Sequence, residues 1–140
     1  NSNLIGTIYC TQSVVPSMLK AGGGTIINIA SIAGLAPGLL GGMVYSAAKA
    51  AVINFTEFIS IEFNDTPIRA SVIIPGEVDT PILENRPVVP SKKARETMVT
   101  VQDVAEAIGL IAGLPERSTI PYIVIRPTTL RDYSGEIGIV

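Results

Sequence analysis

The stretch that decides the reading is Thr25-Ile26-Ile27-Asn28-Ile29-Ala30-Ser31-Ile32-Ala33-Gly34, followed by a glycine-rich segment to Gly42 and then Met43-Val44-Tyr45-Ser46-Ala47-Ala48-Lys49. The apolar run Thr25 to Ala30 is short, β-branched and preceded by glycines, which predicts a buried strand. From Met43 the pattern turns alanine-rich and helical. Tyr45 and Lys49 are four apart, so on a helix they stand one above the other on one face. A hydroxyl at the end of a strand can thus meet a phenol and an ammonium from the next helix. Proton exchange with an alcohol oxygen is the chemistry this suits. A free phenol, with a pKa of ~10, is a poor base at neutral pH, and a neighbouring cation stabilises its phenolate.

Working outward, residues 3–20 predict a helix with Leu4, Ile8, Val15 and Leu19 at roughly helical spacing and Pro16 as a kink or new turn. Ala21-Gly22-Gly23-Gly24 ends it. These glycines precede a strand, whereas a dinucleotide-binding loop follows one and opens a helix, so they read as a C-cap and turn. The helix after Gly42 is expected over 44–64, with Phe55, Phe58, Ile59 and Phe63 continuing its apolar face. A second strand is expected over 69–74, stopped by Pro75-Gly76. Residues 77–98 carry Pro81, Pro87 and Pro90 and weak periodicity, predicting a long connection of the kind that forms lids, with a short helix near 91–97. Thr100 and Asp103 match a capping box with Asp in place of Glu. The helix they open, to about Leu114, is expected to bury Val104, Ile108 and Ile111. A third strand is expected over 121–125, and a tail over 128–140, where Tyr133 and Ile137 could pack on a partner. Strands alternating with helices imply an α/β fold with a parallel sheet and right-handed crossovers. Ligands in such sheets sit at the carboxyl ends of the strands, where Ser31 and Pro75-Gly76 fall.

Composition narrows the function. The chain has 140 residues, of which 47% are hydrophobic, and a net charge of −2, so one domain with a sizeable core is expected and no nucleic-acid footprint or polybasic membrane patch is visible. Histidine is absent, which excludes Ser-His-Asp and Cys-His catalysis and argues against a zinc site, so no metal ligands are expected. The single cysteine, Cys10, excludes an internal disulfide and fits a reducing cytoplasm. Hydropathy peaks across residues 33–55, but Pro37, the four glycines of 34–42 and Lys49 argue against a membrane span.

Ser31 with Tyr45-Ser46-Ala47-Ala48-Lys49 resembles the catalytic serine and Tyr-x-x-x-Lys motif of the short-chain dehydrogenase/reductase family. Ile27 to Gly34 resembles the family's strand and serine turn. Pro75-Gly76-Glu77-Val78-Asp79-Thr80 resembles its Pro-Gly-x-Val-x-Thr segment, and Asn3-Leu4-Ile5-Gly6 its asparagine-containing helix start. Taken singly, Ser31 reads as a cap or turn residue, Tyr45 and Lys49 as a packed phenol and a snorkelling lysine, Asn3 as a helix N-cap and Pro75-Gly76 as a strand terminator. Their occurrence together in the family's order carries the resemblance, which runs to about Pro127. The Ser31 to Tyr45 separation is one residue longer than is common in the family, which a loop tolerates.

The resemblance implies the C-terminal part of a Rossmann-like doubly wound parallel sheet, with three strands and flanking helices, over 1–140 as one partial domain. It implies an NAD(P)-dependent oxidoreductase that interconverts a carbonyl and a secondary alcohol. Tyr45 would be the general acid/base. Lys49 would lower its pKa and bond the nicotinamide ribose, Ser31 would orient the substrate oxygen, and Asn3 would hold a water beside the lysine. Pro75, Gly76, Val78 and Thr80, with Tyr45 and Lys49, would contact the cofactor, NAD or NADP. A homodimer or homotetramer built on the helices near Asn3 and Met43 is also implied. The family's Thr-Gly-x-x-x-Gly-x-Gly loop and Asn-Asn-Ala-Gly segment have no counterpart here, and Asn1 replaces an initiator methionine, which together read as a start within a longer protein. A catalytically inactive fragment acting only as a dimerisation or assembly module is the alternative.

Overall fold

The computed structural model describes residues 2–137. A π turn over Ser2–Gly6 leads into α1 (Thr7–Ala21), β1 (Gly24–Ile29), α2 (Gly42–Glu62), β2 (Ile68–Pro75), α3 (Lys92–Arg95), α4 (Val101–Ala112) and β3 (Tyr122–Ile125). Short 3-10 turns follow β1 at Ile32–Gly34, β2 at Pro81–Asn85 and β3 at Ser134–Glu136. The three strands form one parallel sheet in the order β1-β2-β3. Gly24 faces Ile68 at the start of the first pairing, and Val72 faces Tyr122 at the start of the second. Residues 138–140 of the expected tail lie outside the described residues.

β2 is the centre, and its sequence shows why. Ile68-Arg69-Ala70-Ser71-Val72-Ile73-Ile74 is nearly continuously apolar, as a strand covered on both faces must be. Ile68, Ala70, Val72 and Ile74 alternate onto one face, where they meet Ile26 and Ala30 from the β1 segment and Val52 and Ile59 from α2. Ser71 and Ile73 point to the other face, on the side covered by α4, whose Ile111 is buried. Arg69 sits at the amino end of β2 and donates to the carbonyls of Leu114, Pro115 and Ser118 and to Thr25 Oγ1 at 2.8–3.1 Å. It thereby fastens the α4–β3 connection to the sheet.

Several local expectations are met by their predicted devices. Gly22, at φ 85°, caps α1, with its N–H bonded to Leu19 O. Thr100 and Asp103 form the reciprocal capping box of α4, and the Ser91 hydroxyl accepts from Ala94 N to open α3. Other expectations need correction. α1 continues as one helix through Pro16, so no new helix begins there. Asn3 is not an N-cap, because helical winding continues past it as the π turn and its carbonyl accepts from Thr7 Oγ1 at 3.0 Å. Phe58 is 56% exposed, because the buried stripe of α2 runs through Val52, Thr56 and Ile59, and Phe58 lies off that face. On α4 only Ile111 is buried, and Ile108 is exposed. Among the described residues no helix is long and apolar enough to cross a membrane.

Candidate active site

The end of β1 and the second turn of α2 meet at one place. Ser31 follows the strand in extended backbone conformation, and its Oγ accepts from Ala33 N at 3.2 Å, so the hydroxyl caps the 3-10 turn. That bond uses a lone pair and leaves the hydroxyl proton for another acceptor. The turn then runs directly against α2. A Cβ on Gly34 would stand 2.6 Å from the Lys49 carbonyl carbon and 2.7 Å from Ala50 N, so only glycine permits this approach.

Lys49 reaches back toward the strand. Its Nζ donates to Ile29 O at 2.9 Å and lies 5.7 Å from the centroid of the Tyr45 ring. Burial without a carboxylate partner holds its pKa below the ordinary lysine value. The bond to Ile29 takes one of three N–H donors. Tyr45 lies over the residue one helical turn before it, and a Cβ on Gly41 would stand 2.5 Å from Tyr45 Cδ1. Tyr45 also lines a cavity of about 570 Å³ shared with Asn3, Leu4 and Val44.

The structure therefore sets the Lys49 ammonium over the Tyr45 ring and places Asn3 on the same cavity as Tyr45. Ser31 is joined to Lys49 through the turn at Gly34 and through the Ile29 carbonyl two residues before it. Among the described residues, Ser31 Oγ is hydrogen-bonded to neither Tyr45 nor Lys49.

The Pro75-to-Thr80 segment leaves the end of the neighbouring strand. Pro75 closes β2. Gly76 N donates to Ile125 O at 2.6 Å, and a Cβ on Gly76 would meet Arg126 Cβ at 3.0 Å and Pro127 Cδ at 3.2 Å. The close approach that glycine permits within the chain is thus to the exit of β3. Val78 forms a parallel bridge with Val99, which returns the 77–98 connection to the site. Thr80 starts the 3-10 turn at Pro81, its carbonyl accepting from Leu83 N at 3.1 Å, while its hydroxyl makes no hydrogen bond among the described residues.

Sequence reasoning missed a charged cluster beside this segment. Glu77 accepts from Arg86 at 2.9 Å and from Arg131 at 2.7 and 2.8 Å, and Arg131 also binds Glu136. Burial opposes ionisation of Glu77, but Arg131 and Arg86 outweigh it and hold the carboxyl below its ordinary range. The bonds to Glu136 and Glu77 raise the pKa of Arg131. The cluster joins two segments more than forty residues apart, 77–86 and 131–136, and its only local signal was charge within an otherwise apolar chain. Among the described residues no group of metal-ligating side chains is assembled.

The described chain is thus a parallel three-stranded sheet with flanking helices, with Ser31 following β1 and Lys49 bonded to the last carbonyl of that strand. The family pattern described as short chain dehydrogenase matches residues 1–88, and the chain belongs to that family. It is 35% identical over 125 residues to an uncharacterized oxidoreductase of Staphylococcus aureus, covering 89% of this chain and 52% of the relative. Among solved structures it is similar to the closed form of serine dehydrogenase complexed with NADP+, with a TM-score of 0.82 and 34% identity over 95% of this chain and 55% of the other. Serine dehydrogenase from Escherichia coli gives a TM-score of 0.76 at 32% identity, over 93% and 52% of the two chains. The chain spans about half the length of the curated relatives it matches.

Proposed function

We propose that this chain is the catalytic half of an NAD(P)-dependent oxidoreductase that interconverts a carbonyl and a secondary alcohol. The observation that carries the reading is the position of Lys49. Its ammonium is held on the last carbonyl of β1, at the face of the Tyr45 ring, two residues before the serine that follows the strand. Tyr45 takes the hydroxyl proton of an alcohol or returns one to a carbonyl oxygen. Lys49 holds its positive charge at the face of the Tyr45 ring. Ser31 donates its remaining proton to the substrate oxygen and so fixes its direction. Asn3, on the Tyr45 cavity, holds the water through which a proton exchanges with solvent.

The donor set fits a nicotinamide nucleotide. Lys49 retains two N–H groups for ribose hydroxyls, and the Thr80 hydroxyl has no partner within the described residues. Pro75, Gly76 and Val78 supply backbone beside it. When bound, the nicotinamide supplies the two-electron chemistry, exchanging a hydride with the substrate carbon. NADP-bound and NAD-bound structures both occur among solved relatives, the latter a 3-oxoacyl-[acyl-carrier protein] reductase of Brucella melitensis with a TM-score of 0.69 and 25% identity over 88% of this chain and 47% of that one, so either nucleotide fits this reading. A cytoplasmic homodimer or homotetramer completes it, with exposed Tyr9 on α1 and Met43 and Val44 on α2 available for subunit contacts.

The test is turnover by the protein that carries this chain, assayed with a panel of secondary alcohols and carbonyls and with both nucleotides. Reduction or oxidation of the nicotinamide that depends on substrate is expected. Nucleotide binding with no turnover of any alcohol or carbonyl would sink the reading.

A further inference from the structure

β1 and α2 meet along an apolar seam. Ile26 shares a buried cluster with Ile59, and Ala30 shares one with Val52. Apolar contacts are non-directional, so they hold the helix on the strand without fixing how far it slides along it. Two hydrogen bonds join the two elements among the described residues. One is the Lys49 bond to Ile29 O, made at the end of a long, flexible side chain. The other lies inside the seam, where Asn28 Nδ2 donates to Thr56 Oγ1 at 2.9 Å.

This inner bond is stiff at its helix end. Thr56 is 1% exposed, so solvent does not compete for it. Its hydroxyl donates to Val52 O at 2.7 Å, which fixes the rotamer of a β-branched side chain. With that proton committed, the oxygen can only accept, and the Asn28 amide must present its nitrogen. Asn28 alternates with Ile26 and Ala30 onto the α2 face. It directly precedes Ile29, whose carbonyl holds the Lys49 ammonium. Lys49, Val52 and Thr56 follow one another at helical spacing on one face of α2. A slide of α2 that breaks the Asn28 bond therefore carries Lys49 away from Ile29 O.

We propose that Asn28 and Thr56 are positioning residues whose bond sets the register of α2 on β1, and with it the place of the Lys49 ammonium between Ile29 O and the Tyr45 ring. Neither residue lines the Tyr45 cavity, so each acts through Lys49. The consequence for turnover rests on the oxidoreductase reading, whereas the consequence for the position of Lys49 does not.

The test compares Thr56→Val, which keeps the shape and removes the hydroxyl, with Thr56→Ser, which keeps the hydroxyl and removes a methyl group. In the protein that carries this chain, Thr56→Val should lower kcat/KM for the nucleotide by roughly 3- to 10-fold, the scale of one hydrogen bond. A raised nucleotide KM should be part of that loss, with the substrate KM unmoved, whereas a smaller folded fraction lowers kcat and moves no KM. Thr56→Ser should recover most of the value. Asn28→Ala should match Thr56→Val, and the double variant should lose no more than either alone. A loss confined to kcat, or a larger loss in Thr56→Ser than in Thr56→Val, assigns the pair to packing and overturns the proposal while leaving the oxidoreductase reading standing. A crystal structure of Thr56→Val supplies a readout free of turnover. Displacement of Lys49 Nζ from Ile29 O supports the proposal, and a retained bond overturns it. If the unaltered protein turns over no alcohol or carbonyl, the oxidoreductase reading falls and that distance alone decides the positioning.

Discussion

Gly34 lies flat against the backbone of Lys49, with the position a Cβ would occupy 2.6 Å from the lysine carbonyl carbon and 2.8 Å from its oxygen. One residue thus couples the turn that presents Ser31 to the helix that presents Tyr45 and Lys49. Neither element can shift without the other, because both contact surfaces at this point are backbone.

Gly34→Ala should therefore act on stability and on the site together. Overpacking costs ~1–3 kcal/mol, read as a lower urea midpoint with an unchanged slope. The methyl group would push the serine turn away from α2, so turnover should fall by more than the lost folded fraction accounts for. A variant with the original midpoint and turnover would show that the turn and the helix are not coupled here.

Tyr45→Phe removes the phenolic oxygen and keeps the ring that packs over Gly41. Turnover in the protein that carries this chain should drop at least ~100-fold, the lower end of what general acid–base catalysis supplies. Nucleotide affinity, measured by equilibrium fluorescence, should stay nearly constant. Lys49→Ala should impair both quantities. Undiminished turnover in Tyr45→Phe would remove this residue from the proton path.

Lys49 also predicts a pH dependence of folding. Burial lowers its pKa in the folded chain relative to the unfolded value near 10.5. Between those two values the unfolded chain holds more protons at this group than the folded chain, so this group's contribution to stability rises with pH there. The penalty is fully present below the folded value and is relieved as pH climbs toward 10.5. Urea midpoints of the unaltered chain, compared with those of Lys49→Met from neutral pH upward, should show the extra rise only in the unaltered chain. Parallel curves would mean that the ammonium is effectively solvated.

Glu77→Gln tests the ionic cluster that ties the tail to the β2 exit. Glu77 accepts three bonds from Arg86 and Arg131, and losing charge-assisted bonds of this kind costs ~1.5–3 kcal/mol each in favourable geometry. Partial exposure and the surviving pairs with Glu136 reduce this, so a loss of about 1–2 kcal/mol is expected. The folded pKa of Glu77 is lowered, so its contribution is present above the unfolded carboxyl pKa and is lost as pH falls through the folded value. The difference between the two proteins in urea midpoint should therefore shrink in acid, and a constant difference would assign the effect to packing.

Much of the fold was legible from local chemistry. Gly22 as a cap, the Thr100–Asp103 box, the strand run into Ser31 and the continuous apolar run of β2 each act through neighbours in sequence, so their outcome is written in the order of residues. The i,i+4 placement of Tyr45 and Lys49 on one helix face is of the same kind. Phe58 and Ile108 were misassigned because helical period alone does not say where a buried stripe is centred. That depends on which residues of β1 and β2 the helix meets.

The sequence by itself determined which chemistry is present: one tyrosine and one lysine on a shared helix face, a serine after a strand, and no histidine anywhere. Only the tertiary structure decided where the Lys49 ammonium is anchored, which residue Gly76 makes room for, and that Glu77, Arg86, Arg131 and Glu136 neutralise one another while Arg126 does not share in it. The longest of these contacts, Gly76 to Arg126 and Glu77 to Arg131, join the exits of different strands. Parallel strand pairing sets them by bringing three strand ends to one edge, and no local propensity encodes that meeting.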